Sequence, residues 1–237
     1  MSAAAPPAAL LDAACMPYQA AGRFPYHFAR GKLRADPAYH AILEYGLLLG
    51  RRRLLDLGCG QGLLPSWLRA AEHCYSAGLW PSDWPAAPTG LSIRGIERMA
   101  REVNWARRAL GTQAEITHGD IRVADFGAAD AVVILDVLHY LPAEAHRQIL
   151  LRVRGALPDA GLLLLRVGDA AAGLRFRFSR WFDTAVMLAR GHPAARLHCR
   201  SVVQWRVLLA GCGFDSQALS MPQGTAFANT LLIARAR

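Results

Sequence analysis

The sequence predicts an α/β protein built on a doubly wound, mostly parallel sheet. Three observations carry that expectation. Five short apolar stretches of strand length, from Leu54 to Val167, alternate with helical stretches whose apolar residues recur at helical spacing. The first of them runs into a glycine-rich turn, Leu54-Leu55-Asp56-Leu57-Gly58-Cys59-Gly60-Gln61-Gly62, and a second periodic run starts at Leu63. The chain then ends in two strand-like stretches, Phe214 to Leu219 and Thr230 to Ala234, which read as an antiparallel hairpin.

Each element has its own signal. Leu54 to Leu57 reads as the end of a buried strand, and Ser92 to Ile96 as a second strand ending at Glu97. Met99, Val103, Ala106 and Leu110 fall on one face of a helix leading to a third strand, Ala114 to His118. Ala131 to Leu135 is the fourth strand. Pro142 suits a first helical position, after which Ile149, Leu150, Val153 and Leu157 form an inward stripe with Arg147, Arg152 and Arg154 outward. The turn Pro158-Asp159-Ala160-Gly161 opens the fifth strand, Leu162 to Val167. Ser201 with Gln204 forms a capping box for a helix ending at Gly211 or Gly213. Tyr75 to Gly90, with Trp80, Trp84 and three prolines, reads as a long surface loop.

Composition fits one such domain. The chain has 237 residues, 53% hydrophobic and 19% charged, enough for a large core. Residues 1–17 are expected to be a flexible N-terminus and 18–237 a single domain, with residues 18–50 as an N-terminal lid and 168–198 as an insert on the substrate side. Met1 to Leu11 is rich in Ala and Pro and lacks a basic leader, and no run reaches the roughly 18 apolar residues of a membrane span. Five cysteines, at 15, 59, 74, 199 and 212, without a C-x-x-C pair, read as reduced thiols of a cytoplasmic protein. The net charge is +9, yet 26 of the 27 basic residues are arginine in an alanine-rich chain. That bias follows from coding composition and is poor support for a nucleic-acid partner. A basic surface would still steer an acidic partner toward the chain. His192, His198 and Cys199 have no metal-ligand spacing, so no metal is expected.

The glycine turn carries the chemistry. A strand, a tight turn and a helix start place unpaired amide groups over whatever the turn holds. A dinucleotide site wants G-x-G-x-x-G, but Leu63 stands where its last glycine would be. The pattern here is D-x-G-x-G-x-G, and Asp56 would repel a pyrophosphate while holding a cationic amino-acid group. The motif resembles that of class I S-adenosylmethionine (SAM) dependent methyltransferases. The resemblance implies a Rossmann-like seven-stranded sheet of order 3-2-1-4-5-7-6 and SAM as cofactor. It places the amino-acid end of SAM at Asp56, Gly58, Cys59, Gly60, Gln61 and Gly62, and the ribose at Glu97 beside Arg98. The adenine would lie at Asp120 and Ile121, and the reacting methyl near Asp136, in Asp136-Val137-Leu138-His139-Tyr140-Leu141.

Methyl transfer is an in-line displacement, so an enzyme aligns the acceptor, excludes water and supplies a base where the acceptor holds a proton. His139, after the fourth strand, is the candidate base, with Tyr140 and Asp169 as alternates. Tyr26, His27 and Arg166 could bind a phenolate or carboxylate acceptor. Arg30 and Lys32, in the aromatic and basic stretch Tyr18 to Tyr39, could meet the acceptor or its carrier, although Phe24 and Phe28 there could simply pack the lid. The insert, with Arg175, Phe176, Arg177, Phe178, Arg180 and Trp181, reads equally as a lid or as a surface for an acidic protein, a membrane or nucleic acid. The D-P-P-Y type sequence of amino methyltransferases acting on bases is absent after strand four, as is any Pro-Cys pair. A small-molecule acceptor is therefore favoured over nucleic acid. Phe28-Ala29-Arg30-Gly31-Lys32-Leu33, Arg166-Val167-Gly168-Asp169 and Phe227-Ala228-Asn229-Thr230-Leu231-Leu232 also look similar to methyltransferases of bacterial aryl polyene and fatty-acid-like pigment pathways. That resemblance implies an aromatic or acyl-type acceptor, with attachment to an acidic acyl carrier protein left open. An RNA methyltransferase and a non-catalytic interaction subunit of the same fold remain the alternatives.

Overall fold

In the computed structural model, residues 7–168, 198, 200–220 and 229–237 are described. Strand β1, Arg53–Leu57, is buried along all but its first residue, as a central parallel strand covered on both faces must be. It pairs in parallel with β2, Ser92–Glu97, on one side and with β4, Ala131–Leu135, on the other. Beyond β2 lies β3, Glu115–His118, and beyond β4 lies β5, Leu162–Gly168, both parallel. The last two strands, β6 (Phe214–Ser220) and β7 (Asn229–Ala236), form the antiparallel hairpin, with β7 against β5. The sheet is thus seven-stranded in the order β3-β2-β1-β4-β5-β7-β6, as the sequence resemblance implies.

Side chains alternate across each strand, so the sheet carries two cores. Leu54, Ile93, Ile116, Val133 and Leu164 face one side. There they meet α1 (Ala8–Cys15), α2 (Arg23–Ala35), α3 (Pro37–Glu44), α4 (Leu63–Ser76) and α5 (Ala100–Leu110). Leu55, Ile96, Val132, Leu163 and Leu232 face the other side, covered by α6 (Ala143–Ala156) and α7 (Val202–Gly211). Fully burying one such leucine is worth about 1.5–3 kcal/mol, so the two faces together hold the layers. The capping box forms, with Ser201 Oγ accepting from Gln204 N at 3.3 Å and Gln204 Oε1 accepting from Ser201 N at 2.9 Å.

Three expectations need correction. Residues 8–15 are not a loose terminus but a helix, because Leu10, Leu11, Ala14 and Cys15 make one apolar face that packs on α4, and Ser66 Oγ donates to the Ala14 carbonyl at 2.7 Å. Alanine-rich composition hid that stripe. Pro142 is the N-cap residue, with ψ of 148°, and α6 starts one residue later at Ala143. Arg152 and Arg154 do not simply face solvent. The β3 to β4 connection has no helix, so its carbonyls need donors, and Arg152 donates to the carbonyls of Ile121, at 2.8 Å, and Ala124. Arg154 serves the Leu157 carbonyl and Asp159.

Candidate active site

At the carboxyl end of β1 the backbone turns on glycines. Gly58 sits at φ +75°, and a Cβ there would lie 2.4 Å from Val137 Cγ2, so the turn can pass the 136–141 segment only without a side chain. Gly60, at φ +55°, has no atom within 4 Å of where its Cβ would be. That stretch of backbone therefore borders open space, where a ligand can approach it. Gly62 then caps α4 in the left-handed conformation, directing the first amides of the helix toward the same space.

Glu97 is fixed beside this turn. Its Oε2 accepts from Gly60 N at 3.0 Å and its Oε1 from Met99 N at 2.7 Å, which leaves a second lone pair on each oxygen for a pair of hydroxyls. Asp56 is 3% exposed, and burial, then the neighbouring Glu97, pushes its carboxyl up to about 8. A buried carboxyl with its proton retained lacks a compensating cation. A ligand with a cationic amino-acid end and a ribose diol fits these two acids, and SAM carries both.

The remaining turn residues are differently employed. Gln61 is buried, its Nε2 donating to the Pro25 carbonyl at 2.9 Å, while its backbone carbonyl accepts the Tyr18 hydroxyl at 3.0 Å. It therefore ties the N-terminal helices to the turn, a role that only the fold reveals. Cys59 packs its thiol against Gly95, and burial raises its pKa well above the ordinary value. The Arg98 side chain is exposed, and its carbonyl accepts from His118 Nε2 at 2.9 Å. Where the resemblance implies the adenine, Asp120 lines a cleft of about 350 Å³ with Ile96, His118 and Gly119. Its carboxylate pairs with Arg122 at 2.5 Å, which holds its pKa below the usual range. Ile121, which the resemblance implies beside an adenine ring, is buried in the second core, to which Ile96 and Phe126 also belong.

The acceptor side is organised by charge. Arg166, on β5, is 2% exposed and bridges two carboxylates. It meets Asp36, the N-cap of α3, and pairs bidentately with Asp136, its Nε donating to Asp136 Oδ1 at 2.8 Å. Lys32 Nζ lies 2.8 Å from Asp36 Oδ2 and 3.6 Å from Asp136 Oδ2. Burial raises both aspartates, but Arg166 and Lys32 outweigh it and hold them below the usual range. Asp136 itself adopts φ +59°, a strained conformation for a residue with a side chain. Two of the three cations expected to meet the acceptor, Lys32 and Arg166, are thus matched by two acids, one of them the N-cap of α3. Tyr39, three residues on in α3, was not singled out as a site residue. It is buried, and its phenol is held well above the ordinary value by burial and by the nearby Asp36, Asp56 and Asp136. Its signal was the i to i+3 spacing from Asp36.

His139 sits in a one-turn 3-10 segment, Leu138–Tyr140, with its ring 4.0 Å from the Tyr140 ring. The residue is half-buried, but Nε2 is shut off from solvent and has no partner among the described residues. Burial lowers its pKa to about 4, so the imidazole is neutral near pH 7. Tyr26 and His27 stack edge-on at 5.3 Å near the start of α2, beside Pro25. Arg30 is spent on an exposed ion pair with Asp12 at 2.6 Å. Asp169 and the insert from 169 to 197 lie outside the described residues.

Residues 26–219 match the methyltransferase domain family. The chain is 30% identical over 143 residues to the carboxy-S-adenosyl-L-methionine synthase of Chromohalobacter salexigens, covering 56% of this chain and 48% of that protein. It therefore spans about half the length of this curated relative. Among solved structures, an O-methyltransferase family protein from Burkholderia thailandensis superposes with a TM-score of 0.64 at 19% identity, over 92% of this chain and 61% of that one. The magnesium protoporphyrin IX methyltransferase of Synechocystis PCC 6803, solved with SAH, the demethylated product of SAM, gives 0.59 at 18% identity over 91% and 88%. With 26–219 spanning the glycine turn, both acids and the 136–141 segment, the chain belongs to the methyltransferase domain family, in the SAM-dependent class that its turn resembles.

Proposed function

We propose that the chain transfers the SAM methyl group to a hydroxyl of a small aromatic or acyl-type acceptor. The observation that carries the reading is the pairing of Asp56, a buried carboxyl with no cation beside it among the described residues, with Glu97, whose two oxygens are each pinned by one backbone N–H and keep a lone pair for a diol. Asp56, the Gly60 backbone and Glu97 would hold SAM, which supplies the electrophilic methyl on its sulfonium. A hydroxyl acceptor then forms an O–C bond as the C–S bond breaks, and its proton passes to Nε2 of His139, which is neutral and unpartnered. Tyr39 lies among Asp36, Asp56 and Asp136, where its hydroxyl would orient the bound pair.

Names of structural neighbours, including a mitomycin 7-O-methyltransferase, support oxygen as the receiving atom. The narrower reading, an aryl polyene type acceptor with attachment to an acidic acyl carrier protein left open, rests on the resemblance of the Phe28–Leu33, Arg166–Asp169 and Phe227–Leu232 stretches. Among the described residues, no helix is long and apolar enough to cross a membrane. The test is incubation with SAM and a set of phenols and hydroxylated acyl compounds, free and carrier-loaded, with mass spectrometry of the products. Formation of SAH together with an O-methylated product supports the reading. Methylation of RNA alone would replace it.

A further inference from the structure

Both ring nitrogens of His146 are engaged, and together they define its state. The residue lies on α6 with 0% exposure, and its Nε2 sits 2.7 Å from the Leu138 carbonyl and 3.1 Å from the Leu141 carbonyl. Carbonyls only accept, so Nε2 carries the hydrogen. Nδ1 lies 3.3 Å from Arg200 Nε, and a guanidinium only donates, so Nδ1 keeps its lone pair. The ring is therefore one neutral tautomer, stacked on Trp205 at 4.9 Å. Arg200 is itself held by the Ala143 carbonyl at 3.3 Å and lies over the Trp205 ring. Leu138 and Leu141 bracket His139 and Tyr140, and the backbone N–H of His198 donates to the His139 carbonyl at 2.9 Å. The segment that presents His139 is thus gripped from two sides.

We propose that His146 is a positioning residue for methyl transfer: its Nε2–H, oriented by Arg200 on the opposite nitrogen, fixes the 138–141 turn so that His139 meets the acceptor. The proposal rests on the methyltransferase reading above. Both nitrogens of the buried ring have a partner that no apolar side chain could engage. Glutamine reproduces the pattern, with an NH₂ for the two carbonyls and an oxygen for Arg200. Leucine cannot.

The test compares His146→Gln and His146→Leu, with turnover divided by SAM-binding sites so that only folded chains count. His146→Leu is expected to lose roughly ten- to a hundredfold in kcat through misplacement of the base, with SAM affinity unchanged, and His146→Gln to recover most of it. Wild-type kcat per site in His146→Leu, or equal loss in both variants, would overturn the proposal. Imidazole ¹⁵N NMR of the wild-type chain gives a reading that needs no activity and no variant. The expected signal is a bare Nδ1 and a protonated Nε2 near neutral pH, whereas a proton on Nδ1, with His198 and His139 as the other nearby imidazoles, would contradict it. Absence of SAM binding by the wild type would instead defeat the methyltransferase reading and leave the tautomer result standing.

Discussion

Oε2 of Glu97, at the end of β2, accepts the Gly60 amide at 3.0 Å, so the second strand and the glycine turn of the first share one hydrogen bond at the mouth of the candidate cofactor site. Glu97→Ala removes this pin together with the acceptors for the ribose diol. SAM affinity should fall by about 1.5–3 kcal/mol, or roughly ten- to 150-fold, measured by calorimetry. Unchanged affinity in a folded variant would place the diol elsewhere.

Arg166 is the hinge of the charge network, and its loss would leave Lys32 alone to balance the buried Asp36 and the half-buried Asp136. Arg166→Met should cost about 3–5 kcal/mol in urea unfolding at neutral pH. The folded-state pKa values of both aspartates are depressed, so their stability contribution is present above the unfolded value of about 4 and is lost only as pH falls through the folded ones. Acid unfolding should therefore begin below about pH 4. A cost under about 1 kcal/mol would mean that the network is not a buried one.

His139 should act on rate rather than on cofactor binding. His139→Ala is expected to reduce kcat by about 100- to 10,000-fold with SAM affinity retained. Because burial lowers its pKa to about 4, the kcat profile should show no inflection near the ordinary histidine value of about 6.5. A variant that keeps its rate at saturation but binds SAM weakly would make His139 a wall of the cofactor site.

What the sequence made legible was local. Asp56, Gly58, Gly60 and Glu97 stand in strand ends and turns whose spacing is set by backbone geometry, and the structure brings them together at the mouth of one site. Arg166 and Asp36 are 130 residues apart, and nothing local marks the α3 N-cap as its partner. An ordinary apolar pattern concealed α1. His146 occupies an inward position in the α6 stripe, so its function appears only when the carbonyls of Leu138 and Leu141 are seen against it.

The most direct test of the account is the proton that SAM binding should release. In the ligand-free chain the Asp56 carboxyl is raised to about 8, so it contributes stability that is present below the unfolded value of about 4 and is lost as pH rises through 8. A cation at Asp56 forces it to ionise. Calorimetry near pH 7, in two buffers of different ionisation enthalpy, should show one SAM bound per chain with release of up to about one proton, and Asp56→Asn should abolish the release. Failure of both SAM and SAH to bind, or binding of NAD in their place, would contradict the account.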